Sequence, residues 1–143
     1  MATAHDVAAY ILENGGSMSA MKLQKLVYYS QAWHLVWEEE PLFREGVEAW
    51  ANGPVVRELY DVHRGQFTVA RWPEGSPDAL TDREKGSVDA ILRHYGEKSA
   101  FWLSETTHRE DPWREARGDH GPSDRSSQEI TPAAMAEYYS SLV

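Results

Sequence analysis

Apolar positions are densest between Met21 and Trp37. Leu23, Leu26, Val27, Ser30, His34 and Trp37 recur at the i, i+3, i+4, i+7 spacing of one helical face. Tyr28, Tyr29, Ala32, Trp33, Leu35 and Val36 wrap the remaining faces, and a helix apolar nearly all round is enclosed by other elements. Only the first turn keeps a polar side, through Lys22, Gln24 and Lys25, which the pattern leaves open to water. Ser19 can cap the helix start, and Glu38-Glu39-Glu40-Pro41 ends it, because the residue before proline disfavours the helical region. A buried central helix is expected.

On either side the pattern weakens but stays helical. Thr3-Ala4-His5-Asp6 reads as an acidic capping box that opens a helix closing at Asn14-Gly15-Gly16. Val47, Ala49 and Trp50 suggest a short extended strap. Asn52-Gly53-Pro54 predicts a helix start with Pro54 at its first position, followed by Val55, Val56, Leu59, Tyr60 and His63. Residues 66–80 read as a loop that holds Phe67, Val69 and Trp72. Thr81-Asp82-Arg83-Glu84 is a full capping box, Ser99 caps a further helix, Asp111-Pro112 starts another, and Thr131-Pro132 opens the last. Residues 118–128 are polar and expected to be mobile. The fold class that follows is mainly α, one compact domain over 1–143. It has six or so helices around the central one and a small β element of two or three strands.

Composition narrows the function classes. The chain has 143 residues, enough to bury about two-thirds of its unfolded surface without staples. Cysteine is absent, which removes disulfides, thiolate metal sites and cysteine nucleophiles. No apolar run approaches the roughly 18 residues of a membrane span and no signal peptide opens the chain, so a cytoplasmic protein with no membrane contact is expected. The net charge of −9 repels phosphate backbones and disfavours direct nucleic-acid binding.

Several strings converge on one family. Lys22-Leu23-Gln24-Lys25-Leu26-Val27-Tyr28-Tyr29, Trp33-His34-Leu35, Pro41-Leu42-Phe43, Glu48-Ala49-Trp50 and Gly53-Pro54-Val55 resemble the Panacea domain. This is the SocA-like antitoxin domain, also called the GepA-type phage-associated family. Leu103-Ser104-Glu105, Thr107-His108 and Pro112-Trp113 resemble its C-terminal half. The resemblance implies a toxin–antitoxin partner that binds and neutralises a cognate toxin protein, without catalysis or cofactor. One member looks like an adaptor that delivers its toxin to a AAA+ protease, so a protease contact is a rival expectation, and self-association is left open. The chain departs from the family where a phenylalanine is expected and Tyr29 stands, adding a hydroxyl that needs a partner.

Individual residues carry competing readings. Leu23, Leu26, Trp33, Trp50, Gly53, Pro54, His108 and Trp113 are expected to serve the fold. His34 is expected to donate to a backbone carbonyl, and His108 to sit at a helix C-terminus beside its partial negative charge. A small hydrolase using His108, or a metal site from His108, Asp111, Asp119 and His120, lacks any zinc-motif spacing or nucleophile elbow. Phe67, Val69 and Trp72 either fold back on the core or anchor a partner, Trp72 filling its pocket. Glu38, Glu39, Glu40, Glu45 and Glu48 form either a solvated rim or an acidic edge that steers a basic toxin; Glu38, Glu39 and Glu45 are the candidate contacts.

Overall fold

A computed structural model describes residues 1–121 and 124–143; the expected mobile segment 118–128 falls partly on Pro122 and Ser123, outside the described residues. Seven α-helices are present among the described residues, with two small antiparallel sheets. The helices are α1 (Ala4–Gly15), α2 (Ala20–Glu38), α3 (Arg57–His63), α4 (Asp82–Tyr95), α5 (Ala100–His108), α6 (Asp111–Arg117) and α7 (Pro132–Ser140). The strands are β1 (Met18–Ser19), β2 (Val47–Trp50), β3 (Gly53–Val55), β4 (Thr68–Val69) and β5 (Glu129–Ile130), arranged as β1–β4 and as β3–β2–β5.

Local chemistry sets the helix starts. Thr3 and Asp6 satisfy each other's backbone N–H groups, as do Thr81 and Glu84. Ser19, Ser99 and Thr131 accept from the third residue beyond them. α1, α4, α5 and α7 then pack around α2, whose Leu23, Leu26, Val27 and Tyr29 are wholly buried. The enclosure runs as far as Leu35. The last turn opens, leaving Trp33 and Val36 half-buried and Trp37 42 % exposed, so the expected spine is shorter than its apolar pattern.

Two expectations are corrected. Gln24 and Lys25 are not an open polar side, since both are 0 % exposed. Gln24 reaches across to Val56, accepting from its N–H at 2.9 Å and donating to its carbonyl at 3.1 Å. One face-repeat later, Gln31 accepts from Leu42 N–H at 2.7 Å and donates to Phe43 O at 2.9 Å. The irregular strap is therefore pinned to α2 by two buried amides that supply hydrogen bonds no sheet provides.

The second correction concerns Pro54. It does not begin a helix; it lies in β3 opposite Ala49, with Trp50 opposite Gly53 across the turn at Ala51 and Asn52. β3 is the edge of its sheet, the one place where a residue without an N–H is tolerated. Helix α3 begins after Val56, which has no side-chain cap.

Candidate partner-binding surface

The segment expected to supply an anchor is split by the fold. Val69 is buried in β4, and Trp72, 5 % exposed, donates its indole N–H to His5 Nδ1 at 3.0 Å. Ser76 N–H binds Asp6 Oδ1 at 2.8 Å, which ties the same loop to the start of α1. Trp72 thus packs within the chain, and it also lines a cavity of about 410 Å³ with Val62, Gln66 and Val69. Phe67 alone is outward, at 84 % exposure, beside the first residue of α2, whose N–H its carbonyl accepts. Glu38 and Glu39 lie at the other end of that helix. Glu38 pairs with Arg83 at 3.3 Å, and Glu39 takes the left-handed conformation that ends the helix. Glu45 lies apart from them in the strap, at a cavity of about 210 Å³ that it shares with Phe43, Arg44 and Ile130.

Beneath the β2–β3 hairpin lies a buried polar centre. Gly53 has φ +124°, and a Cβ there would stand 2.5 Å from Lys25 Cε and 3.3 Å from Thr107 Oγ1. Among the described residues Lys25 Nζ has no hydrogen-bond partner. Burial pushes its ammonium down to about 7, so the charged and neutral forms are close to balance in neutral solution. His63 accepts from Gln24 Nε2 at 3.0 Å; burial lowers its affinity for a proton, and Lys25 lowers it further.

His108 ends α5 and stacks on Trp113 with ring centroids 4.1 Å apart. Burial depresses its pKa, and Lys25 and Arg117 add to this against Glu105. A neutral ring gains little from a helix dipole, so stacking describes His108 better than the expected helix-end charge. Trp113 donates to Trp50 O at 2.8 Å, and Arg117 donates to Ala49 O at 3.0 Å, fastening α6 to β2. His34 pairs with Ser87 Oγ at 2.7 Å through Nδ1, not with a backbone carbonyl.

Further along α2 the extra hydroxyl of Tyr29 finds its partner. It donates to Glu110 Oε1 at 2.7 Å, and Tyr139 donates to the same oxygen at 2.8 Å. Tyr139 has spent its proton there, so Tyr28 donates to Tyr139 across 3.0 Å. Burial raises the Glu110 pKa, and the two tyrosine donors oppose it. Rings continue outward from this cage: Tyr29 stacks on Tyr95 at 4.3 Å, Trp33 packs on Tyr139 at 5.4 Å, and Trp37 stacks on Trp33 at 5.5 Å.

The model of the antitoxin SocA-like, Panacea domain family matches residues 23–114, well over half of the chain. The protein belongs to this family. No curated protein and no solved structure matches it. The Panacea match opens at Leu23 on α2 and closes at Arg114 on α6, so it takes in the hairpin, the polar centre and Tyr29 and Glu110 of the cage, while α1, β1, β5 and α7, with Tyr139, lie outside it.

Around this Panacea core the catalytic geometries considered from sequence do not assemble. Ser104 Oγ donates to Asn52 O at 3.1 Å, and His108 stacks on Trp113. Among the described residues no three His, Asp or Glu side chains are grouped to hold a metal ion, His108, Asp111, Asp119 and His120 included. Among the same residues no helix is long and apolar enough to cross a membrane.

Sequence reasoning missed Gln24, Gln31, Lys25 and Glu110 as structural polar groups. Regular i, i+7 placement of Gln24 and Gln31 on an otherwise apolar helix was the available signal for the first two.

Proposed function

We propose that this Panacea-domain protein is an antitoxin that neutralises a cognate toxin protein in the cytoplasm by direct binding, without a catalytic step, residues 1–143 acting as one domain. The family match over residues 23–114 carries this reading. It is supported by the disposition of side chains: Lys25, His34 and His63 are turned inward and buried, whereas Trp37, Phe67, Phe101 and Trp102 are exposed. Such a surface recognises another protein.

The test is coexpression with the adjacent reading frame placed under separate control. Growth restored by this chain, together with a complex that survives gel filtration, is the expected result. Growth restored only in cells with intact AAA+ proteases would replace direct neutralisation by delivery for degradation. Failure to restore growth or to form a complex would end the antitoxin reading.

A further inference from the structure

Each of the six tryptophans can be asked what covers it. Arg57 lies over Trp50 at 5.4 Å, Lys98 over Trp102 at 4.8 Å and Arg117 over Trp113 at 5.0 Å. Trp72 is stacked beside His5. Among the described residues no cation covers Trp33 or Trp37. These two stack on each other with planes 28° apart, and Trp37 is 42 % exposed. Directly beyond Trp37 come Glu38, Glu39 and Glu40, of which Glu38 alone is paired among the described residues.

An exposed indole stack followed in the chain by unpaired carboxylates suits a basic segment, whose guanidinium or ammonium groups gain from the ring face and from the negative charge. We infer that the Trp33–Trp37 stack and the Glu38–Glu40 edge, at the open end of α2, form the dock for a basic segment of the toxin protein. A lysine or arginine of that segment lies over the exposed face of Trp37. The inference rests on the antitoxin reading and deepens it by naming the surface and the partner's charge. A second copy of this chain fits poorly, because a two-fold contact would set the same carboxylates against each other. Nucleic acid and anionic lipid are repelled for the same reason.

The test measures binding of this chain to the purified product of the adjacent reading frame, inactivated so that it can be produced alone. Variants are Trp37→Ala, Trp37→Phe and the double change Glu39→Lys with Glu40→Lys, each checked for an unchanged melting temperature. Trp37→Ala should weaken binding by about tenfold or more, Trp37→Phe by less, as expected of an exposed aromatic anchor. The double change should slow association and flatten its dependence on salt. If the parent chain binds and Trp37→Ala binds equally well, the dock is overturned while the antitoxin reading stands. Loss on Phe67→Ala with none on Trp37→Ala overturns it too, moving recognition to the other end of α2. Sedimentation showing a dimer of this chain dispersed by Trp37→Ala would assign the surface to self-association instead. If the parent chain does not bind, the reading itself fails.

Discussion

Lys25 and Glu110 meet the same row of α2 one helical turn apart, the second through its hydrogen bond to Tyr29. Both are ionisable groups taken out of water, and burial acts on each against its charged form. Their surroundings differ. Glu110 has two hydroxyl donors on one oxygen, so its negative charge is partly replaced in hydrogen-bond terms. Lys25 has no acceptor, and the groups close enough to act on it electrostatically are themselves bases, His63 and His108. One site offers its charge two donors, and the other offers its ammonium no acceptor among the described residues. The comparison shows that burial alone does not decide the cost of a polar group; the partner does.

The largest expected effect tests the unpartnered side. Lys25→Met should raise stability at pH 7 by about 3 kcal/mol, because a side chain of similar length replaces a group that must shed its proton to stay buried. The sign in pH follows. The unfolded chain holds the lysine proton up to its ordinary value of 10.5 and the folded chain releases it near 7. The unfolded state therefore binds more protons between those limits, and the parent protein gains stability as pH rises, by about 1.4 kcal/mol per unit. Urea denaturation from pH 7 to 9 should show this slope in the parent and lose it in Lys25→Met. A parent profile that is flat there would mean the amine is hydrated and charged, and the contrast with Glu110 would vanish.

Next in size is Gly53→Ala, expected to cost about 2 kcal/mol. It combines a backbone conformation that L side chains rarely adopt with a contact on Lys25 that the buried lysine end must shift to relieve. The midpoint of chemical denaturation reads it. Making the same change together with Lys25→Ala should recover part of the loss, because only the backbone strain then remains.

How much of this could be read from the chain depended on range. The caps at Thr3, Ser19, Thr81, Ser99 and Thr131 involve residues three apart, and they stand where the sequence places them. The central helix was legible because its apolar period is long. Gly53 and Pro54 were misread because Asn-Gly-Pro suits a helix start and a hairpin equally by local chemistry, and pairing with Glu48, Ala49 and Trp50 decides it. Trp72 and Trp37 show the same limit at longer reach. Each is an aromatic residue near charged neighbours, and only the contact between Trp72 and His5, 67 residues away in sequence, sends one inward while the other stays out. The burial of Lys25 and Gln24 was hidden because the first turn's polar pattern says nothing about the hairpin that closes over it.

The smallest expected effect concerns the satisfied side, and it is read best as a change with pH. Tyr29→Phe restores the residue the family pattern suggests and removes one of the two donors to Glu110, leaving Tyr139. The loss should be about 1 kcal/mol where the carboxylate is charged, because the missing donor matters most to that form. In acid the carboxyl is protonated and needs less help, so the difference between variant and parent should shrink. The parent has its own sign. Because the folded pKa of Glu110 is raised, its contribution is fully present below the unfolded value of 4.5 and is lost as pH rises through the folded value. Removing a donor raises that folded value further and carries the decline closer to neutrality. Denaturation of both proteins between pH 4 and 7 should therefore give curves that converge in acid and separate above it. Parallel curves would mean that Tyr29 serves only by packing against Tyr95, and that solvent, not the hydroxyl, supports the charge on Glu110.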